Sequence, residues 1–493
     1  MMSKINKFNI PKEISQITET LENADFEAYI VGGCVRDLLI NKTPKDWDIT
    51  TNAKPEDIKR LFENTFYNND YGTVGVVNEN TEEESLKVVE VTPYRIESEY
   101  SDARRPDSVE FSDSIEHDLH RRDFTINAIA YSISKGQIID LYKGQEDLKK
   151  GIVRAVGDPD VRFSEDALRI LRAIRISAEL GFKIEEKTKN SIKKDAKMLE
   201  KIAKERIRDE FVRIIMSDRP MESIELTHEL GVLRFIAPEL EEGIGINQNQ
   251  AHAFTVWEHN LRAVKHSADK KLPLEIRISA LFHDIGKPVT SRWSSEKNDW
   301  TFHGHDVVGG KMTKKILERL KFSKRQIEKI VKLVRWHLFF SDTEQITLSA
   351  VRRMVRNVGE ENIWDLMDVR ESDRIGMGRP KANPYRLRKY KSMVEEALRD
   401  PISVKMLKID GAKIMEVTQE TPGPKIGYIL HALLEEVLED PKLNTAEGLE
   451  NMAKKFAKLN ENELKKLGEK GKLKKDKLEE KEIESLRDKH WVK

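Results

Sequence analysis

The spacing of apolar residues changes once along this chain of 493 residues. Over about the first 150 residues, short β-branched runs alternate with helical segments, whereas from Phe163 onward the spacing is helical almost without interruption. A chain of this length exceeds what one hydrophobic core supports, so we expect several domains, a mixed α/β domain first and helical domains after it. The runs that predict strands are Ala28–Val31, Asp48–Thr50, Thr73–Val77, Leu86–Thr92 and Gln137–Leu141.

Composition limits the compartment and the partners. Charged residues make up 35% of the chain and the formal net charge is zero, which argues against indiscriminate binding of polyanions but not against a local RNA-binding face. The only cysteine is Cys34, so an internal disulfide is impossible and a reducing compartment is favoured. Residues 1–11 lack the apolar core of a signal peptide, and no stretch approaches the length of a membrane span. We therefore expect a cytoplasmic protein without membrane association.

A strand, two glycines and a helix follow one another near residue 30. Gly32 and Gly33 precede a helix predicted from Cys34 to Ile40. Glycines allow a phosphate to approach the backbone, and the free N–H groups at a helix start favour an anion there. Arg36 would add a charge-assisted contact to a triphosphate. A tight connection without any ligand gives the same pattern.

Three acidic residues form the next pattern. Asp46 and Asp48 are two residues apart, so on a strand their carboxylates face the same side. Two close carboxylates repel unless a cation lies between them, and oxygen ligands suit Mg²⁺. Glu90 lies inside a β-branched run, where an unpaired charge is costly. The alternative is a pair of surface acids and a salt-bridged Glu90.

Two further segments concentrate charge. The run from Arg121 places Arg122 and Asp123 in one turn, either for a ribose or as a charge cluster at a helix start. In a helix predicted from Ser164 to Leu180, Asp166 and Arg169 lie three residues apart on one face. An intrahelical salt bridge is the alternative there, and it applies equally to Arg172 and Arg175.

The motifs GGCVRD, DWDITT, EVTPYR, RRDFTINA and EDALRILRA, in this order, resemble those of the class II CCA-adding tRNA nucleotidyltransferases, whose head domain belongs to the polymerase-β-like superfamily. The resemblance covers about the first 230 residues. It implies transfer of CMP and AMP from CTP and ATP to the 3′ end of tRNA without a template, with release of pyrophosphate. It also implies Mg²⁺ at the catalytic residues Asp46, Asp48 and Glu90. The nucleotide-binding residues that it implies are Gly32, Gly33, Arg36, Arg122, Asp123, Asp166 and Arg169.

The chemistry of the bases supports a selective role for two of these residues. Cytosine and adenine each present an amino donor beside a ring-nitrogen acceptor. Asp166 can accept from the amino group while Arg169 donates to the ring nitrogen. Uracil and guanine reverse this pattern, so buried groups would stay unpaired. One acid–arginine pair can therefore select C and A.

Histidines and aspartates are spread through the middle of the chain in a second pattern. Imidazole together with carboxylate suits a divalent transition metal, and the set resembles the ligands of HD-superfamily phosphohydrolases. The resemblance implies four ligands plus two that occur in two-metal forms, with Ni, Mn, Fe or Co as the metal. His303 and Asp368 compete with His305 and Asp373 for their places. The implied ligands are His259, His283, Asp284 and Asp373, with His305 and His337 as the additional two.

An HD domain in this family implies a phosphatase or 2′,3′-cyclic phosphodiesterase in tRNA 3′-end repair. The alternative is a degenerate domain kept for RNA docking.

In the last part of the chain, Gly411 and the run Thr421–Gly427 precede predicted helices and either receive RNA phosphates or cap the helices. A stripe from Lys425 to Leu438 predicts an amphipathic helix, and beyond Asn451 we expect a solvated helical tail.

The predicted architecture is therefore an α+β multidomain protein with a polymerase-β-like head and all-α neck, HD and tail domains. The predicted boundaries are 1–150 for the head, 151–225 for the neck, 226–385 for the HD domain and 386–493 for a tRNA-binding tail. Rival functions are a poly(A) polymerase, an enzyme adding only CC or only A, and an HD nucleotide phosphohydrolase with a regulatory head. The intact base-reading pair and the polar loop after Arg95 favour complete CCA addition. The sequence does not predict the oligomeric state.

Overall fold

The computed structural model describes residues 8–67, 72–97, 109–249, 253–339 and 346–468. The polar loop after Arg95 lies mostly outside these residues. Contacts divide the chain into two compact units, Met1–Glu241 with Arg319–Phe322 and Glu242–Glu318 with Ser323–Lys493. The predicted order, an α/β part followed by helical parts, is confirmed. Among the described helices, none is long and apolar enough to cross a membrane.

The first unit is built on a sheet of seven strands in the order β3-β4-β5-β2-β1-β8-β9. Strands β2 and β5 are parallel and neighbouring, while the other pairs in this sheet are antiparallel. The central position of β2 brings its first residues beside β5. The strands are β1 (Ala28–Val31), β2 (Asp48–Thr51), β3 (Thr65–Tyr67), β4 (Val74–Val77), β5 (Val88–Pro93), β8 (Ile129–Ser132) and β9 (Gln137–Asp140), and the small pairs are β6 (Arg95–Glu97) with β7 (Val109–Phe111) and β10 (Ile152–Val153) with β11 (Lys183–Ile184).

Five strands of the large sheet occur where the β-branched runs predict them, and two do not. β3 lies at the sheet edge and exposes Phe66 and Tyr67, so it lacks the buried alternation that marks a strand. β8 is fully buried but contains Ala130 and follows a charged motif, which hides its strand character. β1 is buried at all of its positions and lies between β2 and β8.

The helix predicted from Ser164 to Leu180 is wrong at its start. One helix ends at Glu165 and the next begins at Leu168. Asp166 between them is extended, with φ −139° and ψ 103°, and its Oδ1 accepts the Leu168 N–H at 3.0 Å. The helices of this unit are α1 (Lys12–Asn23), α2 (Gly33–Leu39), α3 (Pro55–Leu61), α4 (Glu84–Lys87), α5 (Ile115–His120), α6 (Gly144–Lys150), α7 (Pro159–Glu165), α8 (Leu168–Leu180), α9 (Glu186–Asp195), α10 (Lys204–Met216) and α11 (Pro220–Glu229).

Among its described residues, the second unit contains helices and one hairpin, β12 (Arg292–Ser294) with β13 (Asp299–Thr301), which the helical spacing does not predict. Helices α12 and α18 approach so closely that a Cβ at Gly376 would lie 2.7 Å from the His259 carbonyl oxygen. The helices are α12 (Val256–Asp269), α13 (Leu274–Phe282), α14 (Lys287–Thr290), α15 (His305–Arg319), α16 (Lys324–Trp336), α17 (Leu348–Val358), α18 (Ile363–Gly376), α19 (Tyr385–Ala397), α20 (Gly411–Thr418), α21 (Pro424–Glu439), α22 (Ala446–Phe456) and α23 (Glu461–Gly468).

The end of the chain packs more tightly than predicted. The apolar stripe of α21 is buried as expected. Leu449 of α22 and Leu464 of α23 are also fully buried in the same core, so the tail is not solvated as far as residue 468. Residues 469–493 lie outside the described residues.

The Asp410 carboxylate accepts the Lys413 N–H at 2.9 Å, so the start of α20 beside Gly411 carries a side-chain cap.

Candidate active site and candidate metal centre

The three acidic residues predicted to hold Mg²⁺ lie on, or just before, two adjacent central strands. Asp48, the first residue of β2, is the register partner of Glu90 in the parallel strand β5, and Asp46 precedes β2 by two residues. Burial raises the pKa of Asp48 to about 6, and Glu90 and Asp46 add to the effect while Arg122 opposes it. These carboxylates are not among the described groups whose ligand atoms all lie within 4.8 Å of one another. The like charges that they concentrate on oxygen donors nevertheless favour a hard cation such as Mg²⁺.

Gly32 connects this cluster to the start of α2. Its φ of +84° is a conformation that favours glycine, and a Cβ at this position would lie 3.0 Å from Arg122 Nη1 and 3.7 Å from Asp48 Oδ2. Glycine thus keeps the backbone within reach of both a cation and a carboxylate. Gly33 is the first residue of α2, whose N–H groups point outward from this end.

Two predicted cations are held by partners that the sequence did not indicate. Arg36 Nη1 donates to the Asn127 side-chain oxygen at 2.9 Å, and its Nε donates to Asp37 at 2.8 Å. Arg122 Nη2 donates at 2.9 Å to Asp118, which is fully buried. Burial opposes ionisation of Asp118, but its two arginine partners lower its pKa to about 2. Asp118 therefore fixes Arg122 beside the acidic cluster.

Asp123 bridges the sheet domain and helix α8. Its Oδ1 accepts from the Asn127 side-chain amide at 3.0 Å, and Arg172 Nε donates to Oδ2 at 2.7 Å. Burial would raise the pKa of Asp123, but Arg172 and Asn127 hold it well below its ordinary value. Arg172 thus has a defined partner outside its own helix. Arg175 likewise has a partner outside its helix, Glu210 of α10, and pairs in addition with Glu179 on its own helix.

The predicted base-reading residues are not on one helical face. Asp166 lies in the break before α8, and Arg206 of α10 donates to its Oδ2 at 2.9 Å. Arg169 Nη1 donates to Glu165 at 2.5 Å, and its Nη2 donates to the Arg121 carbonyl at 3.0 Å. Each side chain is therefore oriented by its own partner rather than by the other.

The second unit brings all six predicted HD ligands into one buried cluster. Two groups have ligand atoms within 4.8 Å of one another, His259 with His283 and Asp373, and Asp284 with His305 and His337. Asp284 joins the groups, since its Oδ2 lies 2.9 Å from His259 Nε2 and its Oδ1 lies 3.3 Å from His305 Nε2. This is the arrangement of a carboxylate between two metal positions.

Each of three histidines presents Nε2 to this cluster because its Nδ1 donates to a backbone carbonyl. These bonds run from His283 to Ala280 at 2.8 Å, from His305 to Phe302 at 2.7 Å and from His337 to Val334 at 2.7 Å. Such bonds fix the ring and leave Nε2 as the ligand atom.

The electrostatics of the cluster also favour a cation. Asp284 Oδ1 and His305 Nε2 are buried and lack a hydrogen-bond partner among the described residues. Burial would lower the pKa of His283, but Asp284 and Asp373 raise it to about 10, so positive charge is favoured there. The donor set and these atoms fit a divalent transition metal.

Residues outside the predicted set complete the cluster. Lys287 Nζ lies 2.6 Å from Asp284 Oδ2, and Arg370 Nη1 lies 2.5 Å from Asp373 Oδ2. The rival ligands lie elsewhere. His303 is exposed, and Asp368 is not among the two groups of converging ligand atoms.

The sequence is 34% identical over 453 residues to the CCA-adding enzyme of Ligilactobacillus salivarius, covering 91% of this chain and 98% of the relative. The chain belongs to the family of CCA-adding enzymes. Another member, from Leuconostoc mesenteroides, is 45% identical over 262 residues, which span 52% of this chain and 63% of that enzyme. The resemblance found in the motifs is therefore confirmed.

Family profiles and solved structures agree with this membership. The profiles "Poly A polymerase head domain", "Probable RNA and SrmB- binding site of polymerase A" and "HD domain" match residues 28–154, 181–244 and 252–377. The crystal structure of the Bacillus stearothermophilus CCA-adding enzyme in complex with CTP superposes with a TM-score of 0.68 at 25% identity, covering 90% of this chain and 98% of that one. The Thermotoga maritima CCA-adding enzyme complexed with tRNA shares the fold, with a TM-score of 0.53 at 20% identity.

Proposed function

We propose that this protein adds CMP and AMP from CTP and ATP to the 3′ end of tRNA without a nucleic-acid template and releases pyrophosphate. The observation that carries the proposal is the register pairing of Asp48 with Glu90, beside Asp46 and Arg122, in a chain aligned along its length with CCA-adding enzymes. The pairing concentrates carboxylates where a transferable phosphate can be bound. Asp46, Asp48 and Glu90 are the proposed catalytic residues.

The acidic residues and their neighbours bind different parts of the nucleotide. Asp46, Asp48 and Glu90 would hold Mg²⁺, which when bound lowers the pKa of the attacking hydroxyl and neutralises charge on the leaving pyrophosphate. Gly32, Gly33 and Arg36 bind the triphosphate at the start of α2. In addition, Arg122 and Asp123 contact the ribose.

Base selection rests on Asp166 and Arg169. Asp166 accepts from the amino group of cytosine or adenine, and Arg169 donates to the adjacent ring nitrogen. The bonds to Arg206 and Glu165 orient the two side chains before the nucleotide binds. Uracil and guanine leave these groups unpaired, which excludes them.

For the HD cluster we propose a phosphatase or 2′,3′-cyclic phosphodiesterase that repairs tRNA 3′ ends. His259, His283, Asp284 and Asp373, with His305 and His337, would hold divalent ions of Ni, Mn, Fe or Co, which supply a bound water activated for attack on phosphorus. Lys287 keeps Asp284 ionised, since it lies 2.6 Å from its carboxylate. In hydrolysis of a cyclic phosphate, water adds to phosphorus and one bond to a ribose oxygen breaks, with the proton passing to that oxygen.

We assign these functions to the domains with the predicted boundaries. They are 1–150 for the head, 151–225 for the base-reading neck, 226–385 for the HD domain and 386–493 for a tRNA-binding tail. A cytoplasmic location is proposed as well, since the single thiol, Cys34, is buried and unbridged.

The activity is tested with a tRNA transcript that lacks its 3′ CCA, incubated with protein, Mg²⁺ and each NTP singly or CTP with ATP, on a sequencing gel. Complete CCA addition requires CTP plus ATP and is lost in Asp46→Ala. Extension by CTP that stops without use of ATP indicates a CC-adding enzyme. A long ladder with ATP alone indicates a poly(A) polymerase, and no extension leaves the HD phosphohydrolase as the working enzyme.

A further inference from the structure

The hairpin of the second unit displays two exposed tryptophans. Trp293 of β12 and Trp300 of β13 are register partners, and their rings meet edge to face with centroids 5.4 Å apart. They remain 53% and 37% exposed. A cross-strand aromatic pair stabilises a hairpin, but that role does not require the pair to face solvent. Paired exposed rings instead provide an apolar, polarisable surface on which another flat ring can stack.

Both ends of this hairpin are fixed at the HD cluster. It follows α14, whose first residue, Lys287, contacts Asp284, and it precedes α15, which begins at His305. The Lys287 ammonium lies 5.5 Å from the ring centroid of Phe302, the buried residue directly after β13. The strand that carries Trp300 therefore leads through Phe302 to Lys287, which contacts Asp284, and to the ligand His305.

Trp300 lies only a few residues before the ligand His305. The spacing from Trp300 to His305 limits the distance between their Cα atoms to about 18 Å. His303 is exposed, and a Cβ at Gly304 would meet nothing within 4 Å. The ligands are buried, whereas His303 and Gly304, between them and Trp300, are exposed. The terminal nucleotides of a single strand can span such a distance.

We propose that Trp293 and Trp300 form a stacking platform for a nucleobase of a single-stranded RNA 3′ end, whose terminal phosphate is presented to the HD cluster. The inference rests on the phosphoester hydrolysis proposed above and deepens it, since it makes an RNA end, rather than a small phosphoester, the substrate. Indole rings stack on any base, so the platform selects the presence of a base and not its identity.

The test compares two short RNAs that both end in a 2′,3′-cyclic phosphate, one with normal bases and one with abasic terminal nucleotides. Full-length, metal-loaded protein is expected to show a KM about tenfold lower for the base-bearing RNA, the scale of one stacked base. The double variant Trp293→Ala/Trp300→Ala should lose this preference while its KM for the abasic RNA stays unchanged. Trp364→Ala, which removes another tryptophan of the same unit that is 39% exposed, should keep the preference.

Retention of the base preference in the double alanine variant would overturn the platform, as would an equal rise of KM for both RNAs. Trp293→Phe/Trp300→Phe keeps aromatic rings in the hairpin and should retain part of the preference, which excludes loss of folding as the cause.

Failure of the proposed hydrolase is recognised separately. If the wild type and His283→Ala both leave the two RNAs intact, the hydrolase proposal fails and stacking is measured by quenching of indole fluorescence with a short RNA ending in a 3′-phosphate. Stronger quenching in the wild type and Trp364→Phe than in Trp293→Phe/Trp300→Phe supports the platform. Equal quenching in all three overturns it.

Discussion

Arg172 of helix α8 holds Asp123 of the sheet domain, with Nε at 2.7 Å and Nη2 at 2.6 Å from Oδ2. The sequence suggests a partner on the same helix for Arg172, yet the observed partner is 49 residues away. The pair therefore links the neck helix to the turn proposed to contact the ribose.

Arg172→Ala should destabilise the first unit. The folded-state pKa of Asp123 lies below its unfolded value, so its ionised form contributes stability above about pH 4 that is lost as pH falls toward the folded pKa. Because Arg172 is 38% exposed, we expect a loss of about 1–2 kcal/mol in the free energy of unfolding, constant between about pH 5 and 8. Denaturant titrations across pH measure it.

The matched control for this variant is Arg213→Ala, which removes an exposed pair with Glu179. It should cost less than about 0.5 kcal/mol. Equal losses in the two variants would show that the link between Arg172 and Asp123 adds nothing specific.

Asp48→Asn should stabilise the protein when metal is removed. The folded pKa of Asp48 is raised to about 6, so its protonated form favours folding, and that contribution is fully present below about pH 3.8 and lost as pH rises through 6. At pH 7.5 in EDTA the buried carboxylate of the wild type is ionised, which destabilises the fold by an amount on the order of 1 kcal/mol. The neutral asparagine avoids this destabilisation and raises Tm. Added Mg²⁺ should then raise the Tm of the wild type more than that of the variant.

Asp209→Asn serves as the control, since this acid forms a surface pair with Arg208. Its response to Mg²⁺ should match the wild type. A wild-type Tm that is unaffected by Mg²⁺ would remove the support for a metal site at Asp48.

Arg206→Ala should weaken nucleotide selection, although Arg206 is not one of the proposed nucleotide-binding residues. Arg206 donates to Asp166 Oδ2 at 2.9 Å, so its removal leaves the carboxylate held only through Oδ1 by the Leu168 N–H. We expect KM for CTP and ATP to rise about tenfold and discrimination against UTP to fall. Single-turnover incorporation assays measure both. Arg208→Ala, two residues further along α10, should resemble the wild type. Unchanged discrimination against UTP in Arg206→Ala would mean that Asp166 does not need this partner.

Asp284→Asn should empty the HD cluster while sparing nucleotide addition. Asp284 faces both ligand groups, so a neutral amide weakens both metal positions. Metal content by plasma mass spectrometry should fall sharply in Asp284→Asn and remain at the wild-type level in His303→Ala, whose side chain is exposed. Wild-type metal content in Asp284→Asn would contradict a metal centre here.

Local patterns in the sequence predict much of this structure. The strand runs that contain Asp48 and Glu90 form neighbouring strands, as their β-branched patterns predict. Asp46, predicted on the same strand as Asp48, lies in a bend before β2. The HD residues are far apart in sequence, so spacing alone does not predict that they meet. The family resemblance predicted their convergence.

Long-range partners were not predictable in the same way. Arg172 and Arg206 each contact a proposed site residue that is 49 or 40 residues away, but nothing in their local sequence distinguishes them from ordinary surface charges. The apolar spacing does not predict the break at Asp166, since it continues across the break. There the backbone is extended and the side-chain Oδ1 of Asp166 accepts the Leu168 N–H.

The central claim is that one site, containing Asp166 and Arg169, selects both C and A. The most direct measurement is single-turnover incorporation by Asp166→Ala and Arg169→Ala on two tRNA substrates, one needing C next and one needing only the terminal A. A shared site predicts that each variant loses C and A incorporation in parallel, by about 100-fold or more. Loss of one nucleotide with wild-type incorporation of the other would contradict a single base-reading pair.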